Sequence, residues 1–370
     1  MDTILSGQGD RADNSAMQRN GAHVTAFAAV PTSDGVKWLV PAGNRRAALR
    51  GFQSYSPFAL RARVLKQILI SAARLHMLPH ISTEVLVRSD GPLELEQLIE
   101  RVTGEKDVAF CVAVGTATRF QKLTIQVLNQ SGRPVAFIKL SMTVAAAERI
   151  RHEASVLREL GETSIRDSVP RVIFDGPWGD GSHLLVISPA PGKPSALKLS
   201  RAHMTFLSEL AKLNSFFRPA GAVLDDVMLE VMQTAGLDRV QDIALAALSQ
   251  AQREVYDIPV RCGRIHGDFA PWNLSVHEGR LFAFDWESSE VGVPLLWDAF
   301  HFQTQVSCLL KRGQTAWAGR YFKLTLDRAL LLAYAVRSLC RAKNEETPNA
   351  SMISMRKQII EELRGFSACA

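Results

Sequence analysis

The sequence has no run of about 18 apolar residues, so no segment is expected to span a membrane. Its first residues, Met1-Asp-Thr-Ile-Leu and then Gly7-Gln-Gly-Asp-Arg-Ala-Asp-Asn-Ser15, lack the basic start and apolar core of a signal peptide. Cysteine is scarce. Five occur, at 111, 262, 308, 340 and 369, with no Cys-x-x-Cys. An odd, scattered set excludes a disulfide framework and a zinc site and makes the reducing cytoplasm the expected compartment. A large excess of one charge is missing too: 43 Lys and Arg stand against 37 Asp and Glu, for a net charge of +6. No basic run interleaves with aromatics, so nucleic acid is not an expected partner, and the mild excess favours anionic small molecules. No internal repeat is visible.

What is there is an ordinary globular composition. Hydrophobic residues make up 47% of the 370, enough for a sizeable core. At roughly 100–200 residues per domain, this length suggests about two domains.

Residues 1–20, rich in Gly, Asp, Asn and Ser, read as a disordered tail. Residues 21–100 form an N-terminal extension. It holds two short strand candidates, His23–Val30 and Val36–Val40, and a helix over 58–76. In that helix Leu60, Val64, Leu65, Ile68, Leu69 and Ala72 recur at helical spacing, with Arg61, Arg63 and Lys66 near the opposite side. The stripe is expected to pack inward; the competing reading is a basic amphipathic helix on a membrane surface.

From 101 to 190 the pattern turns to strands. Val108–Val114, Lys122–Leu128 and Pro134–Leu140 predict a three-stranded antiparallel meander. A helix over 145–160 follows, then strands at Arg171–Phe174 and His183–Ser188. Pro189-Ala-Pro-Gly-Lys-Pro194 breaks regular structure and marks a boundary. Beyond it, 191–370 is mostly helical, at about 202–217, 223–234, 238–256, 314–342 and 352–365. A hairpin of Leu274–His277 and Leu281–Asp285 interrupts it, turning at His277-Glu-Gly279. The expected fold class is α+β: an extension, a small antiparallel sheet lobe, and a helical lobe.

The informative segment is Ile265-His-Gly-Asp-Phe-Ala-Pro-Trp-Asn273, followed by Phe284-Asp-Trp-Glu287. Asp268, Asn273 and Asp285 are three oxygen donors around a hairpin. Phosphoryl transfer needs Mg²⁺, which takes hard oxygen ligands, and a group to orient the attacking hydroxyl.

These residues resemble the aminoglycoside phosphotransferase and choline kinase group. The match is His266-Gly267-Asp268, then Asn273, then Phe284-Asp285, and it extends to a helix carrying Trp297-Asp298. It covers about 105–310 well, 310–370 loosely, and not the first hundred residues. The resemblance implies a protein-kinase-like two-lobed fold and an ATP- and Mg²⁺-dependent kinase. It implies that Asp268 is the catalytic base, that Asn273 and Asp285 hold the metal, and that His266 and Asp298 brace the loop.

The same template assigns a nucleotide site to the sheet lobe. Lys139 would contact the phosphates and Glu153 would hold it, with Glu148 as the competing partner. Gly115 and Thr116 would form the phosphate loop, although one glycine departs from Gly-x-Gly-x-x-Gly and a plain hairpin turn explains it nearly as well. Ser188 C=O and Ala190 N–H would receive adenine, with the intervening Pro189 needing no donor.

Residues 299–370 carry eleven Lys and Arg against five Asp and Glu. A basic acceptor lobe disfavours a polycationic aminoglycoside and favours a neutral or anionic small molecule or glycan. The alternative function is an inactive kinase-like scaffold. Lys139, Asp268, Asn273 and Asp285 are all present, which favours activity.

Overall fold

The computed structural model describes residues 23–32, 35–54, 60–75, 77, 83–89, 93–179, 181–237, 239–310, 325–343 and 350–364. The tail expected at 1–20 and residues 311–324 lie outside them. The chain divides into two units. Among the described residues, the first runs to Arg158 and resumes over Pro170–Pro189; the second takes Glu159–Val169 and everything from Ala190.

The first unit is built on one antiparallel sheet. Its strands are β1 (His23–Thr32), β2 (Gly35–Pro41), β3 (Thr83–Ser89), β4 (Ala109–Val114), β5 (Lys122–Leu128), β6 (Pro134–Ser141), β7 (Val172–Trp178) and β8 (Ser182–Ile187). They lie in the order β3-β1-β2-β4-β5-β6-β8-β7. The meander β4-β5-β6 sits at its centre. β2 pairs with β4 through Trp38↔Ala113 and Leu39↔Val112, so the sheet continues through the extension without a break.

Helices α1 (Arg45–Ser54) and α2 (Leu60–Arg74) cover one patch of this sheet. Ala47, Ala48 and Phe52 of α1 and Leu69 and Ala73 of α2 pack on Ala28, Val40, Cys111 and Leu128. Among the described side chains of the α2 stripe, the expected inward packing holds for Leu69 and Ala72. Val64, Leu65 and Ile68 are exposed. A second patch of core gathers Leu98 and Ile99 of α3 (Glu94–Thr103) with Phe110, Ile125, Val127 and Ile138. Helix α4 (Val144–Gly161) follows β6, and its N-terminus is capped by Thr143, whose Oγ1 accepts the Ala146 N–H at 3.1 Å. Ile150, Ala154, Leu157 and Leu160 form its buried face, as helical spacing requires.

The second unit is mainly helical: α5 (Arg201–Leu210), α6 (Ala220–Gln233), α7 (Arg239–Val255), α8 (Leu296–Leu310), α9 (Thr325–Lys343) and α10 (Ala350–Arg364). Its core draws Val223, Leu224 and Val227 of α6, Leu248 of α7, Leu331 and Val336 of α9 and Ile359 of α10 into one cluster. Two small sheets sit among the helices. β10 (Phe216–Pro219), β11 (Pro259–Ile265) and β14 (Glu290–Pro294) form one; β13 (Arg280–Ala283), β12 (Leu274–His277) and β9 (Lys193–Pro194) form the other. The helix expected over 202–217 stops at Leu210. Asn214 takes a left-handed φ of 52°, and the chain then pairs as β10 with β11. The β12–β13 hairpin turns at Glu278 and Gly279, with φ of 49° and 79°, a pair of values that suits the right-handed strand twist.

Candidate active site

β11 delivers the chain to His266, and the loop from there to Asn273 is held from three directions. The first hold is Asp298, in the first turn of α8. Its Oδ2 accepts the His266 N–H at 2.7 Å and its Oδ1 accepts the Gly267 N–H at 3.0 Å. Asp298 is buried, and burial raises its pKa to about 6 against the pull of those two N–H groups. The second hold is His266 itself. Nδ1 accepts the Asp268 N–H at 3.3 Å, and Nε2–H donates to Phe284 O at 3.1 Å. Both contacts require a neutral ring, and burial lowers its pKa to about 4. The third is an aromatic floor. His266 lies 4.5 Å from Trp286 between ring centroids, and Phe269 stacks on Phe206 at 5.9 Å.

Gly267 is needed on two counts. Its φ is 82°, and a Cβ there would stand 1.9 Å from Ser288 O. Asp285, just past β13, also takes a positive φ, 71°. Aspartate tolerates this region better than most residues other than glycine.

The Asp268 carboxylate is grasped at both oxygens. Asn273 Nδ2 donates to Oδ2 at 2.8 Å and to the Asp268 carbonyl at 3.0 Å. His301 Nε2 lies 2.8 Å from Oδ1. Burial works to raise the Asp268 pKa, but the His301 hydrogen bond and charge outweigh it, and the group lies below its usual value. Tyr334 of α9 closes the chain with its OH 3.0 Å from His301 Nδ1, and Gln305 Nε2 is 3.0 Å from His301 Nε2.

His301 and Tyr334 were not among the sequence candidates. The available signal was position: His301 follows Asp298 by three residues, so both sit on one face of α8. Glu287 is also new. Its carboxylate lies within 4.8 Å of that of Asp285. Asn273 turns its Nδ2 to Asp268, which leaves Oδ1 as its remaining acceptor. Asp285 and Glu287 are oxygen donors of the kind a hard divalent cation takes.

In the first unit Lys139 and Glu153 come together as expected. Lys139 Nζ donates to Glu153 Oε1 at 2.7 Å and Oε2 at 2.5 Å, with both residues buried. Glu148, the competing partner, is exposed. Gly115 departs from expectation. Its N–H donates to Lys122 O at 3.0 Å and its carbonyl accepts from Gln121 Nε2 at 3.2 Å, so its N–H is not turned to a ligand. A Cβ there would lie 2.7 Å from Lys122 O, so the tight β4–β5 approach explains the glycine. Thr116 is exposed in the same loop. Ser188 follows β8, bonded to Arg171 through its N–H (2.9 Å) and its Oγ (2.9 Å). Ala190 begins the second unit's part of the chain.

The basic excess of 299–370 is partly neutralised. Arg337 donates to Glu230 at 2.9 Å and Glu290 at 2.7 Å, and Arg341 donates to Glu290 at 2.5 and 2.8 Å.

The family model described as "Phosphotransferase enzyme family" matches residues 123–321. No curated protein matches the chain. Among solved structures, a thermostable mutant of aminoglycoside phosphotransferase APH(4)-Ia in ternary complex with AMP-PNP and hygromycin B aligns with a TM-score of 0.52. The identity is 13%, over 75% of this chain and 99% of that one. The apo form of a thermostable mutant of the same enzyme aligns at 0.50, with 15% identity over 74% and 100%. The fold is thus the protein-kinase-like α+β fold that the family resemblance implied.

Proposed function

The chain belongs to the phosphotransferase enzyme family, and on that premise we propose that it transfers the γ-phosphoryl group of ATP, with Mg²⁺, to a hydroxyl of a small molecule or glycan. The observation that carries this reading is the two-handed grip on Asp268, by Asn273 at one oxygen and His301 at the other.

Asp268 orients the acceptor hydroxyl and takes its proton as the new O–P bond forms and the bond to ADP breaks. His301 and Asn273 fix the carboxylate, so no rotation is needed at the moment of transfer. Asp298 and His266 hold the loop backbone. Lys139, aligned by Glu153, contacts the nucleotide phosphates. Asn273 and Asp285 would hold the divalent cation, with Glu287 beside Asp285, and a cation held there would offset charge on the triphosphate. Ser188 C=O and Ala190 N–H receive adenine. The free, buried cysteines 111, 262, 308 and 340 fit a reducing compartment, the cytoplasm.

The acceptor is not an aminoglycoside in this reading. Among the described residues of α8–α10 the only carboxylates are Asp298, which is buried, and Asp327, Glu361 and Glu362. That is no cradle for a polycation.

Melting with and without saturating Mg-ATP tests the nucleotide reading, and a metabolite panel scored for ADP release tests the acceptor. No gain in stability with Mg-ATP would sink the kinase reading and leave an inactive scaffold.

A further inference from the structure

Residues 35–83 contain eight basic side chains, Lys37, Arg45, Arg46, Arg50, Arg61, Arg63, Lys66 and Arg74, and no Asp or Glu. The whole chain nets +6, so this segment alone exceeds the charge of the protein. The structure adds a second feature to the same place. α1 and α2 pack on the sheet through Ala47, Ala48, Phe52, Leu69 and Ala73, and their other sides face solvent. On α1 those sides carry Arg45, Arg46 and Arg50, all exposed. On α2 they carry Val64, 52% exposed, and Ile68, 54% exposed, with Leu75 just beyond the helix at 67%. Val64 and Ile68 lie four residues apart on one face of α2, and Leu75 follows seven residues on, just past the helix end.

We propose that the α1–α2 face docks the protein on an anionic lipid surface. Exposed aliphatic side chains on one helix and exposed arginines on the helix that shares its core are what an interfacial surface presents: the aliphatic side chains enter the headgroup boundary and the guanidinium groups meet lipid phosphates. The other occupants fit less well. A second copy would bring its own exposed arginines, Arg45, Arg46 and Arg50 among them, against these. Single-stranded nucleic acid is held by stacking on aromatics, and the stripe is aliphatic. The docking does not depend on the phosphotransferase reading, since every residue in it belongs to α1, α2 and their flanks.

Sedimentation of the full chain with lipid vesicles tests it. Vesicles of phosphatidylcholine and phosphatidylglycerol in equal parts are compared with phosphatidylcholine alone, at low and high sodium chloride. The expected result is binding to the anionic vesicles only, weakened by salt. Arg46→Ala should reduce partitioning about five-fold. Ile68→Asp should reduce it at least as much, and Val64→Ser with Ile68→Ser serves as a milder pair should the charged variant fail to fold. Each variant's melting temperature is measured alongside. Three results would overturn the proposal: no sedimentation with anionic vesicles, equal binding to neutral ones, or a concentration-dependent dimer abolished by Ile68→Asp, which would assign the face to a second copy.

Discussion

His301 Nε2 stands 2.8 Å from Asp268 Oδ1, one helical turn from the Asp298 carboxylate that holds the backbone of the same loop. Helix α8 thus grips the loop twice, once at its N–H groups and once at its functional carboxylate. Replacing His301 with Ala frees Asp268 to rotate and leaves its neighbours in place. Turnover should fall by about ten- to a hundred-fold while the KM for Mg-ATP stays within about two-fold. Tyr334→Phe should act in the same direction and more weakly, because it loosens only the ring. A change confined to KM would show that His301 serves binding instead.

Lys139 and Glu153 form a buried pair, so removing one partner strands the other. Lys139→Met should cost about 3–5 kcal/mol in urea unfolding, and Lys139→Met with Glu153→Leu should recover most of it. Neither variant should gain stability from Mg-ATP. If the single variant were as stable as the double, the pair would not be the coupled unit that its 2.5 and 2.7 Å contacts indicate.

This pair also shows what the sequence made legible. β5 alternates, Lys139 lies near the end of β6, and Glu153 lies on the helix that follows. Local pattern was enough there; for the loop from His266 to Asn273 the signal was the motif spacing through Asp298 that the family resemblance reads. The β10–β11–β14 sheet was not legible. Its strands are short, and Phe216-Phe-Arg-Pro219 reads as the tail of a helix until β11 pairs with it. His301 belongs to no motif, and only the fold brings it to Asp268. The stripe on α2 was legible as a stripe, but its direction was not, because periodicity says which residues share a face and not whether that face is covered.

Gly267 supplies a stability test. Gly267→Ala places a Cβ 1.9 Å from Ser288 O at a φ of 82°, so the loop must move. A loss of about 2 kcal/mol or more is expected, together with loss of turnover. Gly161→Ala is the control. Nothing lies within 4 Å of its Cβ position, and stability should change by no more than about 0.5 kcal/mol. Equal effects at both positions would show that the close approach at Gly267 does not constrain the loop.

His203 supplies a pH test. It is fully buried, accepts the Ser200 N–H at Nδ1 (3.1 Å) and meets Ser195 Oγ through Nε2 (2.9 Å), and burial lowers its pKa to about 4. A base whose folded pKa lies below its unfolded value stabilises the fold above that unfolded value, 6.5, and the contribution is lost as pH falls toward 4. Wild type should therefore lose more stability than His203→Gln between pH 7 and about 4.5, read as the difference between their melting curves. Parallel curves would mean that His203 is protonated without cost in the fold.

The central claim is that Asp268 acts on the acceptor and not on the nucleotide. Asp268→Asn keeps the shape and the Asn273 and His301 neighbours while removing the basic oxygen. With an accepted substrate in hand, ADP release by this variant should fall by about 100- to 10,000-fold. The rise in melting temperature with saturating Mg-ATP should match that of the wild type. Turnover close to wild type, or loss of the Mg-ATP shift along with it, would contradict the assignment.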